Sequence, residues 1–600
     1  MSDTPLQWNP PGPGMWSLDR SHVSRPATLI SQYIQTKSTV VGTRRGFVEI
    51  GAPLDGLEFR FVNGLCYSRI RPLVRPDKPA AKLPPKPVLK LAMRLNPEMR
   101  RRAVTAARVV EDRPWRRVLD EWSRPNGIRE QLEHENLALQ DVDLGALSDE
   151  GVIAHAQKVV AHALTMWERH FWLHTYDLGP IGFLLDAGAE WGLEAGELLP
   201  LLEGASPSTS EAERVLRRIR DAVDASGVTP TTLDELRAVS PSVAADLDAF
   251  LRVRGRQVIS RYDIDGLTLA EAPTVLLGTI MSARDDSARS ATAAARLGER
   301  VTQLRGRVPE AHRPEFDTLL TEARNAMDLR DDNGPHTIEW PLGLLRLALM
   351  EVGRRMEAAG TAHDAAHGLE LSVDEIPTAL GSGGPGADVL AGRQHWRQTV
   401  DIEDAPRRLG MVEPIPPLDV LPPAMARVVG FIQRVVAEAG LDGEVKTTGL
   451  TGFGVGTETY RGVARLATSP EEALMQLNPG DVLVVPCTTP AFNMVLTMAG
   501  AVVTSEGGAL SHAAVLAREL GIPAVVGARS ASALIGRSVT ASDSNAAGAA
   551  GSTTTGTVTG VSVTRAESPS ILLCRHEIGN AIGELNSALK SYALCVNFQK

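Results

Sequence analysis

Between Gly440 and Gly456 the chain holds six glycines and few apolar side chains, and the hydrophobic pattern obeys different rules on its two sides. Upstream, from about Pro97 to Ala358, apolar residues recur at three- and four-residue spacing, the period of helices packed by one face. Downstream, short apolar runs alternate with helical ones, the pattern of a buried α/β sheet. No single core accommodates both, and 600 residues exceed the ~100–200 expected of one domain. The expected fold is multidomain, α plus α/β: a large, mostly helical domain followed by a small α/β domain.

The boundaries follow from punctuation. Residues 1–96 are rich in proline. The run Pro72–Pro87 (PLVRPDKPAAKLPPKP) is too interrupted for a helix, and Gly46–Asn63 reads as strand-like, with Phe47–Ile50 and the alternating Leu57–Phe61. Residues 97–403 read as helix after helix. One begins at Ser148, which can cap it, with Val152, Ile153, Ala156, Val159, Val160 and Ala163 following at helical spacing. Further helices are expected at Glu211–Ala225, Ser242–Val253, Ala291–Leu304, Pro314–Leu329 and Leu342–Ala358. Residues 404–449 read as a linker and hinge that includes a helix at Ala424–Ala439. Residues 450–563 read as the α/β unit, and residues 564–600 as a tail with a helix at Ile578–Ser591.

Charge and cysteine content narrow the function classes. With 62 basic and 72 acidic residues the net charge is −10, which argues against sequence-neutral binding of nucleic acid. Four dispersed cysteines suggest neither a disulfide framework nor a zinc site. The N-terminus lacks the basic-then-apolar pattern of a signal peptide, and no apolar run nears a membrane span. A cytoplasmic location, with no membrane or nucleic-acid partner, is the expectation.

The chemistry concentrates in Thr504–Pro523. A strand ends at Thr504, Gly507 and Gly508 allow a tight turn, and Ser511 and His512 open a helix of Ala, Val and Leu. An imidazole there lies beside free backbone N–H groups and the positive end of the helix dipole, both favourable to a phosphoryl group. The same field disfavours the imidazolium and so keeps a nitrogen lone pair for attack. Arg518, nearly two turns on, is a candidate counter-charge or docking residue.

This stretch, with GVGTETYRGVARL, NPGDVLVVPCTTP and GIPAVVG around it, resembles the phosphohistidine domain of the PEP-utilising enzymes, which include PEP synthase, pyruvate phosphate dikinase and the rifampin phosphotransferases. The resemblance implies a swivelling domain that carries phosphate on His512, with Gly507, Gly508, Ser511 and Arg518 in the surrounding motif. Leu510 replaces the threonine usual in the dikinase branch. Two parts found in that family are not evident. No nucleotide loop of the GxxxxGK[ST] kind is found upstream, and too few residues follow His512 for a pyruvate-binding barrel. The layout is similar to the split phenylphosphate and methylphenylphosphate synthases, and to a rifampin phosphotransferase without its ATP-grasp domain. It implies that ATP and Mg2+ act through a separate ATP-grasp subunit, with no cofactor or metal bound by this chain itself.

The helical block resembles the acceptor domain of those enzymes in Phe250–Pro273 (FLRVRGRQVISRYDIDGLTLAEAP) and Ala323–His336 (ARNAMDLRDDNGPH). The resemblance points to Arg330, or else Arg324, as the arginine that neutralises the transferring phosphate. Gly334 stands where those enzymes have a further basic residue, and His336 is a candidate substitute. Phosphoryl transfer also needs a base for the acceptor hydroxyl. His170 and His174, four apart on one helix face beside Phe171 and Trp172, are candidates. His22 is a candidate for the acceptor pocket. Arg256 and Arg261, in a cluster with Arg252 and Arg254, are candidates for docking the phosphohistidine. The expected function is phosphotransfer from His512 to a small hydroxyl-bearing, phenolic acceptor such as phenol or a cresol. The alternatives are phosphorylation of a rifamycin-like antibiotic, or a non-enzymatic phosphocarrier role.

Overall fold

Ser148 starts the spine of the molecule. Its hydroxyl accepts from the Gly151 N–H at 3.2 Å, Asp149 and Glu150 occupy the first turn, and the helix runs from Asp149 to Glu190 through Pro180. Val152, Ala156, Val159, Val160 and Ala163 are buried along it. Residues described in this computed structural model are 6–20, 22–23, 25–78, 82–259, 261–283, 287–438, 451–455, 460–468, 470–488, 492–509, 511–528, 561–565 and 572–576. The architecture is multidomain, α plus α/β, with a large helical body ahead of a smaller sheet-containing unit.

The first helix, Leu29–Ile50, lies along the spine helix. Thr28 caps its start, and Gly51 closes it in the left-handed region at φ 72. Phe47–Ile50, expected as a strand, forms its last turn. The reason is tertiary. Gly42 and Gly46 face the backbone of Glu168 and the side chain of Thr175, where any Cβ would collide, so the helix seats closely and overrides the local β preference of Phe-Val-Glu-Ile. Beside it stands a four-stranded antiparallel sheet of β1 (Met15–Leu18), β2 (Leu54–Val62), β3 (Leu65–Pro72) and β4 (Arg408–Gly410), in the order β2-β3-β1-β4. The alternating Leu57–Phe61 lies within β2 as expected.

Much of the stretch read as linker is part of this body. β4 pairs with β1, joining residues 408–410 to the N-terminal sheet. The helix Pro423–Glu438 buries Met425, Val428 and Phe431, and the Phe431 ring stacks 5.1 Å from Phe183 over Gly182. Residues 439–450, the centre of the expected hinge, lie outside the described residues, as does the expected helix at Ile578–Ser591. The helix expected over Pro314–Leu329 is two, Arg313–Asn325 and Met327–Gly334.

The second unit is an eight-stranded sheet, ordered β6-β11-β12-β5-β10-β9-β8-β7. One half of it is parallel, running to the edge strand β7: β7 (Ala464–Leu466), β8 (Val482–Val485), β9 (Ala501–Thr504) and β10 (Ala524–Val526). β5 (Thr451–Val455) runs antiparallel to β10; β6 (Tyr460–Gly462), β11 (Val561–Arg565) and β12 (Leu572–His576) complete the sheet. β8, β9 and β10 are wholly buried, which is why they read as continuous Val and Ala runs. The helix His512–Glu519 crosses from β9 to β10. No helix among the described residues is long and apolar enough to cross a membrane.

Candidate active site

β9 delivers the chain into a loop that only glycine permits. Gly507 has φ +108, and a Cβ there would meet Ser511 at 2.8 Å; Gly527 packs against the Gly507 carbonyl from the other side. Gly508 accepts the Ser511 N–H at 2.9 Å, and Ser511 in extended conformation becomes the N-cap. Its side chain makes no capping bond. Ser505 Oγ and Ser511 Oγ are buried with no partner among the described residues. His512 is the first residue of the helix, so the first-turn N–H groups, the Ser511 hydroxyl and the imidazole share one corner.

The imidazole is oriented by Thr488, whose Oγ1 lies 2.8 Å from His512 Nδ1. Burial, reinforced by the positive charge of Arg330, pushes the ring down to about 3, so it is neutral near pH 7. Arg518 reaches back: its Nη1 donates to the Ala509 carbonyl at 2.6 Å, and its guanidinium lies 6.0 Å over the Phe453 ring. The arginine expected as a counter-charge therefore braces the glycine loop.

The second unit docks on the helical body at this corner. Ala509, Val515 and Phe453 join the apolar cluster of Leu199, Leu202 and Met327. A small cavity between Arg330, Glu203, Val515 and Arg518 marks the seam. Glu506 meets Arg20 at 3.0 Å and Arg407 at 3.9 Å. Arg330, on the helix Met327–Gly334, is thereby brought within electrostatic reach of His512.

Three expected histidines converge. His170 is buried, with Nδ1 3.0 Å from Thr337 Oγ1 and its ring 4.3 Å from that of His174. His174 Nδ1 lies 2.7 Å from Asp177. Burial, then the charges of His174 and His22, pushes His170 well below the ordinary imidazole range. His22 is paired with Asp19 at 3.0 Å, which raises it, and its ring lies 5.8 Å from Tyr262. Burial raises the Tyr262 phenol, and the charges of Glu339, Cys487 and Asp19 add to the effect. Cys487 adjoins Thr488, so Tyr262 links the acceptor-side cluster to the loop that holds His512.

The other candidates have structural partners. The His336 ring is buried between Trp122 and Trp340, and Nδ1 lies 3.5 Å from Asp332, whose charge raises the imidazole against the effect of burial. Arg324 donates to the carbonyls of Leu201 and Glu203, the latter at 3.2 Å, fixing the turn beside the seam. Arg261 is buried in an ion-pair network with Asp263 at 3.1 Å and Asp265 at 3.3 Å, which Arg397 shares through Asp265. It also ties its loop to the N-terminal arm, donating to the carbonyls of Arg25 and Pro26 at 3.3 Å. Arg256 is half-buried in that loop. Thr488, Tyr262 and Glu339 were not singled out in the sequence. Thr488 and Tyr262 lay in quoted segments; Glu339 carries no local signal and gains meaning only from the fold. Among the described residues no group of three or more His, Cys, Asp or Glu side chains is placed to hold a metal ion.

A glycine-turn histidine at a helix start, set in a small α/β unit and docked on a helical body, is the layout of PEP-utilising enzymes. Residues 477–545 match the PEP-utilising enzyme mobile domain, and residues 186–331 match the fourth domain of rifampicin phosphotransferase. These two segments are therefore similar to domains of the PEP-utilising enzymes. It is similar to chondramide synthase cmdD of Chondromyces crocatus, 26% identical over 87% of this chain and 13% of that protein. It is also similar to the uncharacterized phosphotransferase YvkC of Bacillus subtilis, 28% identical over 36% of this chain and 25% of that protein. To the phosphoenolpyruvate synthase of Aeropyrum pernix it is 46% identical over 15% of this chain and 11% of that protein. The chain spans a quarter or less of the length of these relatives.

Proposed function

We propose that the protein is a phosphotransferase that takes a phosphoryl group onto His512 and passes it to the hydroxyl of a small acceptor held by the helical body. The observation that carries this is the placing of His512: a neutral imidazole at a helix start, oriented through Nδ1 by Thr488 and faced by Arg330. With Nδ1 engaged, Nε2 is the nitrogen that bears phosphate. The first-turn N–H groups and the hydroxyls of Ser505 and Ser511 supply donors to its oxygens, and Arg330 the charge that transfer requires. The phosphoryl donor is a separate ATP-grasp subunit using ATP and Mg2+. The second unit, released from its seam, moves between that donor and the acceptor site.

A phenolic acceptor such as phenol or a cresol suits the aromatic and imidazole surfaces of Phe171, His170, His22 and Tyr262. The match of residues 186–331 to a rifampicin phosphotransferase domain favours a second reading, a rifamycin-like acceptor. The test is His512→Ala with a purified ATP-grasp donor and radiolabelled ATP. The variant is expected to form no acid-labile phosphoprotein and to turn over nothing while remaining folded; undiminished turnover excludes the mechanism.

A further inference from the structure

Between the helices Met327–Gly334 and Trp340–Ala358, residues Pro335–Glu339 wind as one π-helical turn. Such turns re-aim the side chains that follow and occur often at functional sites. This one presents Glu339. The carboxyl is buried, and its Oε1 has no hydrogen-bond partner among the described residues, an arrangement that costs free energy unless something else meets the oxygen. A Cβ at Gly334 would stand 3.5 Å from that Oε1. Gly334 has an ordinary helical φ of −56, so its backbone does not require glycine; what the glycine provides is space. Gly334 lies one turn after Arg330, ~6 Å along the same helix face. The unpartnered carboxyl oxygen therefore faces the space at Gly334, one turn along the helix that also carries Arg330.

We propose that Glu339 is the general base of the acceptor step, the acceptor hydroxyl lying over Gly334 between the phosphoryl group and the Glu339 carboxylate. This rests on the phosphohistidine reading of His512. In the step, the acceptor oxygen forms a bond to phosphorus as the P–Nε2 bond breaks. The hydroxyl proton passes to Glu339, and the bonding pair returns to an imidazole whose Nδ1–H donates to Thr488 Oγ1. The ring leaves neutral and the products are a phosphomonoester and a protonated Glu339. His170 suits this role poorly, because Nδ1 is held by Thr337 and the ring is a weak base.

The groups facing Glu339 are Arg254 from the helix Pro241–Arg254, Tyr262 from the following loop, and Asp332 with its partner His336 from its own stretch. Burial pushes Glu339 up to about 8, Arg254 opposing the rise and Asp332 adding to it. The active form is the carboxylate, so transfer accelerates as pH rises toward about 8 and then levels. The test uses the full chain, phosphorylated on His512 by phosphoramidate or the ATP-grasp donor and chased at pH 6–9. The chase probes are phenol, p-cresol and rifamycin SV, with water as acceptor where none of them takes the label. Glu339→Gln is expected to phosphorylate normally and to lose label at least ~100-fold more slowly, without the rise toward pH 8. Gly334→Lys, which pairs an ammonium with the carboxylate, is expected to phosphorylate normally and transfer at least ~10-fold more slowly, and it serves if Glu339→Gln does not fold. Normal phosphorylation with wild-type transfer rate and pH profile in both variants overturns the proposal. Failure of the wild-type chain to take label overturns the phosphohistidine reading itself.

Discussion

Thr488 orients the His512 ring through Nδ1, 2.8 Å from its Oγ1. Thr488→Val keeps the shape and removes the hydroxyl; phosphoryl transfer through His512 is expected to fall ~10–100-fold, by analogy with the loss of groups that orient a reactive ring. Rapid-quench labelling measures it. Gly507→Ala forces a side chain onto φ +108 and into Ser511, costing about 1–3 kcal/mol in the second unit, read by urea unfolding. Burial, with the charge of Arg330 from the helical body adding to it, pushes His512 down to about 3 from an ordinary 6.5. Because the docked value is the lower, the stabilisation of docking is complete above pH 6.5 and is lost as pH falls from there toward 3. Small-angle scattering is expected to show the two units separating in that window in wild type and not in His512→Gln. At this scale the glycine turn with Ser511 and His512 opening a helix was legible, because these residues sit together in twenty positions. Glu339 was not: its burial, its unmet oxygen and its relation to Gly334 come from a π turn that has no sequence signal.

Elements were legible in proportion to how locally they are determined. The spine helix declared itself through Ser148 and the spacing of Val152 to Ala163, all of which the fold uses. Ser148→Ala is expected to cost about 1 kcal/mol, seen as a lowered denaturation midpoint. β8, β9 and β10 were equally plain, being apolar runs between turn residues. The first helix was missed because its Gly42 and Gly46 have meaning only against Glu168 and Thr175; in isolation Phe47–Ile50 resembles a strand. The helix Pro423–Glu438 was found but placed in a linker, because nothing local says that Phe431 stacks on Phe183.

Among the described residues the two units meet at an apolar seam, with Glu506 reaching Arg20 and Arg407 beside it. Division into a helical and an α/β unit was legible from the change of period at the glycine-rich stretch. How the units meet was not, since Arg20, Leu202 and Ala509 are scattered through the chain. The measurement that bears most directly on the account is mass spectrometry of the chain after reaction with labelled ATP and an ATP-grasp donor. The account predicts one acid-labile phosphate, on Nε2 of His512, that disappears when a hydroxyl acceptor is added. An acid-stable phosphate on another residue, or equal labelling of His512→Ala, contradicts it.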